Sequence, residues 1–143
     1  MAPPDPLTRR HFQELSRVHL RAARVLLNGG HWQDAYHLTG FAAECGLKAC
    51  VARGTRRYDF PRRNASSLYT HDLKALVAIA KLEAALQTAI QASAVFDVNW
   101  ATAKDWTPES RYDNGINRAL ARDLYRALTA RQNGVMRWIR LHW

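Results

Sequence analysis

Glu44 and Lys48 interrupt an otherwise small and apolar run, TGFAAECGLKACVA over residues 39–52, one helical turn apart. A carboxylate followed by an ammonium at i, i+4 is the favourable order for an ion pair on one helix face. The same groups, where burial perturbs them, can contact a ligand or move a proton. Spacing sets Asp34, His37, Phe41, Glu44 and Lys48 along one stripe of that helix. We therefore expect an architectural pair that fixes helix register, with Arg111 as a bidentate third member, and hold ligand contact as the alternative. A second group of residues suits phosphate. Between Arg53 and Arg63 the side chains of Arg53, Arg56, Arg57, Arg62 and Arg63 alternate with Tyr58 and Phe60. Charge and stacking faces are thus interleaved, as nucleic acid requires. Trp106, Arg111 and Tyr112 form a third group: an Arg flanked by aromatics can stack a base and hold a phosphate, or can close a core between loop and helix, the preferred reading. His71 is expected to cap or pack a helix start, and Ser66 and Ser67 have no triad context.

The elements that must position these groups are helical. After the Pro-rich MAPPDP, Thr8 can cap a first helix that runs to about residue 27, where Asn28-Gly29-Gly30 ends it. Phe12, Leu15, Ala22 and Leu26 make its apolar stripe, while Arg10, Glu14, Arg17, Arg21 and Arg24 give another side a basic character. A second helix over about 32–53 follows at once, so the two form an antiparallel hairpin. Residues 53–70 read as a basic loop. A third helix opens near Thr70 or His71, with Thr70 as cap. After Lys81 the pattern LEAALQTAIQASAVF is either its continuation or a shorter fourth helix. Residues 97–115 read as loop because of Pro108 and Asp113-Asn114-Gly115. A last long helix is expected over about 116–141, with Arg118, Arg122 and Arg126 in an i, i+4 ladder. No segment alternates with period two between hairpin turns, so the expectation is an all-α, up-down bundle of four to five helices in one domain.

Charge narrows the partners. The 143 residues carry a net charge of +9, from 17 Arg and 4 Lys against 12 acids. Guanidinium forks suit phosphates, so RNA, DNA, nucleotides or an acidic partner lead over neutral ligands. Cys45 and Cys50 lie about 7.5 Å apart along one helix by rise alone, too far for a disulfide there, and read as small hydrophobes. The His residues lack metal-ligand spacing to them, and no metal or cofactor is expected. Neither an apolar signal region nor a membrane-length apolar run is present, so the expected location is cytoplasmic.

The hairpin LLNGGHWQDAYHLTGFAAECGLKACVA, the helix opening THDLKAL and the element WTPESRY before a long final helix together resemble the HEPN family, over roughly residues 8–140. That resemblance implies a four-helix up-down core, usually dimeric. It also implies binding or cutting of RNA, nucleotide binding, or pairing with a small nucleotidyltransferase in toxin–antitoxin or defence modules. Nuclease members of the family carry Arg-x4-6-His on the final helix, where Arg and His of two protomers converge on the phosphodiester without a metal. Arg137 and His142 match that spacing, as do Arg24 and His31 across the glycine break. Three functions follow as expectations: an RNA- or nucleotide-binding module, which is preferred; a metal-independent endoribonuclease using Arg137 and His142 across a dimer; and an interaction protein with an acidic partner.

Overall fold

The computed structural model describes residues 7–54 and 70–143. The basic-loop reading, with Arg56, Arg57, Arg62 and Arg63, lies outside the described residues. Among these there is no β-strand, and no helix is long and apolar enough to cross a membrane. The all-α class holds, with seven α-helices among the described residues in place of four to five: α1 Arg9–Asn28, α2 Trp32–Arg53, α3 Leu73–Ile79, α4 Glu83–Ala92, α5 Ala94–Lys104, α6 Arg118–Thr129 and α7 Val135–Arg140, plus a 3-10 turn at Pro108–Tyr112.

α2 is the axis of the molecule. It packs on α1, α3, α6, α7 and the 3-10 turn. Encirclement explains its sequence: every residue from Ala42 to Ala52 is buried, and small side chains let neighbours approach on all sides. At Gly46 a Cβ would fall 2.9 Å from Ile139 Cγ2, so α7 rests on that glycine's backbone. Two buried hydroxyls at the axis are satisfied by α2 carbonyls: Ser16 Oγ donates to that of Ala42 at 2.7 Å and Thr39 Oγ1 to that of Ala35 at 2.7 Å. Cys45 and Cys50 are free and buried, and burial pushes both thiols up to about 12. They pack as apolar groups.

Helix starts follow their caps. Thr8 accepts from His11 N (3.1 Å), Ser93 from Phe96 N (3.1 Å) and Asn117 from Leu120 N (2.9 Å). At α3 the cap is Asp72, accepting from Ala75 N, while Thr70 Oγ1 accepts from Asp72 N. Lys81, at φ 60°, separates α3 from α4.

Two spans differ from the sequence reading. Residues 97–104 belong to α5 and are not loop. Phe96, Trp100 and Ala103 are its buried stripe at helical spacing, and they outweigh the turn signals further on. The expected 116–141 helix is broken by a turn after α6. Asn133 sits at φ 62° and its carbonyl accepts from Asn99 Nδ2 at 2.9 Å. Side-chain space matters here as well, because a Cβ on Gly134 would lie 2.3 Å from the Ala130 carbonyl oxygen. An Asn-Gly pair does what only residues tolerant of left-handed and crowded backbone can do.

Candidate nucleic-acid interface

Arginines at i, i+4 and i+7 along α1 (Arg17, Arg21, Arg24) occupy one stripe, and Arg118, Arg122 and Arg126 form another along α6 at i, i+4 and i+8. Like charges at i, i+4 cost helix stability unless something outside the helix answers them. The structure brings these two stripes to one face, and adds Arg131, Arg137 and Arg140 from the α6–α7 turn and α7. Three adjoining hollows make up that face. One, of about 420 Å³, holds Trp32, Arg118, Arg122, Tyr125 and Arg126. The next, of about 210 Å³, holds Arg17, Arg21, Arg24, Tyr125 and Arg140. The last, of about 440 Å³, holds Leu20, Arg131, Arg137 and Arg140. Tyr125 is common to the first two and Arg140 to the last two, so the hollows form one groove along the seam of α1 with α6 and α7.

Acids hardly relieve this charge. Glu14 lies 3.7 Å from Arg17 and 4.0 Å from Arg21, all three exposed, and Asp123 lies 3.7 Å from Arg122. Pairs of that length and exposure contribute little. Arg17 and Arg140 flank the same ring, Trp143, at 5.0 and 5.8 Å from its centroid. Burial, and then the neighbouring Arg17, lower the Arg140 pKa. Cations held this close favour an anion between them.

The residues singled out from sequence fall elsewhere or only partly here. Arg137 lines the groove, its Nη1 donating to the Arg131 carbonyl at 2.6 Å. His142 follows α7 with its ring 5.1 Å from that of Trp138, and burial followed by Arg53 lowers its pKa. Within the chain no hydrogen bond joins the two among the described residues. Glu44 and Lys48 are both buried, at 1% and 7% exposure, with Lys48 Nζ 3.1 Å from Glu44 Oε2. The third member is His71, whose Nδ1 is 2.8 Å from Glu44 Oε1, and not Arg111. Arg111 instead covers the ring of exposed Tyr112 at 4.8 Å, on a 3-10 turn tied to α2 by Gln33, whose amide donates to the Ser110 and Arg111 carbonyls. Trp106 is 1% exposed and packs on Gly40. Arg53 is exposed in the last turn of α2, where a cation meets the negative helix end. Arg17, Arg21 and Arg24 were visible in the sequence as a basic side of α1 and Arg118, Arg122 and Arg126 as a ladder, whereas Arg131 and Arg140 were not singled out. Only the fold joins them.

A second polar cluster lies beside Phe41, whose ring is 4.9 Å from His19 and stacked 6.3 Å from His37; His37 is also 6.0 Å from Trp106. Burial lowers both imidazoles. His37 lowers His19 further, and Arg111 lowers His37 against the opposing pull of Asp34 and Glu44. The sign follows by linkage. With folded values below the ordinary 6.5, the unfolded chain binds more protons as pH falls through that value, so stability rises with pH there. The melting temperature should therefore be lower at pH 5.5 than at pH 7.5, and His19→Gln should narrow the gap, as calorimetry at about those two pH values would show. Equal melting temperatures would remove the basis for this assignment. Comparison of the chain with protein-family models, curated proteins and solved structures finds no match.

Proposed function

We propose that this chain is a HEPN-like RNA-binding module that holds a phosphate backbone along the arginine groove between α1, α6 and α7. One observation carries the reading: guanidiniums from three helices converge on a continuous groove that carboxylates barely neutralise. Such a surface gains most from a polyanion, whose binding releases condensed counterions. The HEPN resemblance adds to the proposal a four-helix up-down core, a homodimer and a nucleotidyltransferase-type partner in a toxin–antitoxin or defence setting. An endoribonuclease built on Arg137 and His142 is the weaker reading, since the guanidinium is engaged by the Arg131 carbonyl and the imidazole packs on Trp138. An acidic protein in the same groove is the remaining alternative.

Fluorescence anisotropy with labelled RNA at several salt concentrations tests the reading. Affinity should fall steeply with salt, and Arg122→Ala/Arg126→Ala should reduce the log–log slope by about 2, while Lys74→Ala on α3 leaves it unchanged. A slope near zero, or one that the double substitution does not move, overturns the assignment and leaves the acidic protein. In EDTA the RNA should stay intact; cleavage abolished by both Arg137→Ala and His142→Ala would establish the ribonuclease instead.

A further inference from the structure

We infer that the Trp32 end of the groove takes an unpaired base, so that the ligand is single-stranded nucleic acid, an inference that rests on the phosphate-binding reading of the groove. The 420 Å³ hollow there differs from the other two in combining an aromatic platform with arginines. Trp32 is the first residue of α2 and is partly exposed. Its ring edge lies beside the turn that opens α2, since a Cβ on Gly30, at φ 82°, would sit 3.7 Å from indole Cζ2.

The charged groups around that ring are placed for the adjoining phosphates. Arg118 stands over the indole at 6.0 Å from its centroid, the outer limit of a cation–π contact, which a base or a phosphate can readily replace. Arg122 Nε is buried and has no hydrogen-bond partner among the described residues. Its nearest carboxylate oxygen, on Asp123, is 3.7 Å away, beyond hydrogen-bond range. A buried donor in an arginine-lined hollow is satisfied by an acceptor that the ligand brings. Asn28 contributes an amide at the rim and Leu27 an apolar wall. In a duplex the base faces are stacked on one another and cannot reach such a ring, whereas a single strand can turn one base onto it while its phosphates follow the arginines.

The test compares a labelled single-stranded RNA with a hairpin duplex of equal phosphate number, against wild type, Trp32→Ala and Trp32→Phe. Wild type should bind the single strand about tenfold tighter or more. Trp32→Ala should weaken single-strand binding by roughly 5- to 100-fold, the loss of one stacked base, and change duplex binding less than about twofold. Trp32→Phe should keep most of the preference. Unchanged duplex binding also reports that Trp32→Ala is folded, and a fluorescent base analogue in the single strand, quenched on binding to wild type, gives a readout independent of the variant. Equal affinity for the two RNAs, equal weakening of both by Trp32→Ala, or no quenching overturns the base pocket while leaving the groove intact. Failure of both RNAs to bind in a salt-dependent way overturns the groove and the pocket together.

Discussion

Gly40→Ala will lower the melting temperature by roughly 10 °C although it adds one methyl group. A Cβ at that position would lie 2.0 Å from Trp106 Cδ2 and Cε2, deep inside van der Waals contact with the middle of the indole. The ring cannot yield, because Trp106 is 1% exposed and Gly40 is itself buried on the central helix. Either α2 or the segment that follows α5 must move, and strain of that kind costs about 3 kcal/mol, the upper part of the overpacking range. Trp106→Ala alone should cost about 3–5 kcal/mol through the cavity it leaves. The decisive comparison is Gly40→Ala/Trp106→Ala, in which the smaller side chain makes room for the methyl. Its cost should fall well below the sum of the two single costs, because the collision that Gly40→Ala creates disappears once the indole is gone and the methyl fills part of the cavity. Urea unfolding followed by circular dichroism gives the three values; additive costs would mean that Gly40 and Trp106 do not press on each other in solution.

That contact also shows how far the sequence could be read. The small-residue seam of α2 announces close approach, and Trp106 was expected to close a core between loop and helix, but no spacing rule pairs positions so far apart as 40 and 106. Helix ends set by local chemistry were legible. Thr8, the double glycine after α1 and the start of α2 each act within a few residues of themselves. The α6–α7 break was equally local, in the Asn133-Gly134 pair, but the hydrophobic spacing on either side of it continues the same stripe, and periodicity alone cannot register a turn that preserves it. Long-range polar contacts were the least legible. Glu44 was read as paired with Lys48, four residues away on the same helix, yet its other oxygen is held by His71, which arrives from a different segment of chain. The groove is the same case at larger scale, since α1 and α6 each show a basic stripe and only packing around α2 sets one stripe beside the other.

Glu44→Leu should cost about 3–5 kcal/mol, whereas His71→Ala should cost less than about 1 kcal/mol. The asymmetry follows from burial. Glu44 is 1% exposed and receives Lys48 Nζ at 3.1 Å and His71 Nδ1 at 2.8 Å, so both carboxylate oxygens are engaged by donors. Leucine in its place removes the carboxylate that Lys48 Nζ meets at 3.1 Å, beside an ammonium that is only 7% exposed, and removing one side of a buried pair is far more costly than the pair is stabilising. The His71 side chain, 57% exposed, exchanges its bond for water with little loss. Glu44→Gln separates charge from shape: it keeps the volume and an oxygen to accept from Lys48, so a cost close to that of Glu44→Leu identifies charge as the larger part. Chemical denaturation supplies all three numbers, and a Glu44→Leu cost as small as that of His71→Ala would remove the architectural role. The same variants decide between the architecture and a ligand contact at this pair. An architectural carboxylate lowers stability in Glu44→Gln and leaves RNA affinity of the folded protein unchanged, whereas a ligand contact lowers affinity at constant stability. Since the groove arginines lie on the α1, α6 and α7 seam and Glu44 is buried beneath Lys48 and His71, we expect the first result.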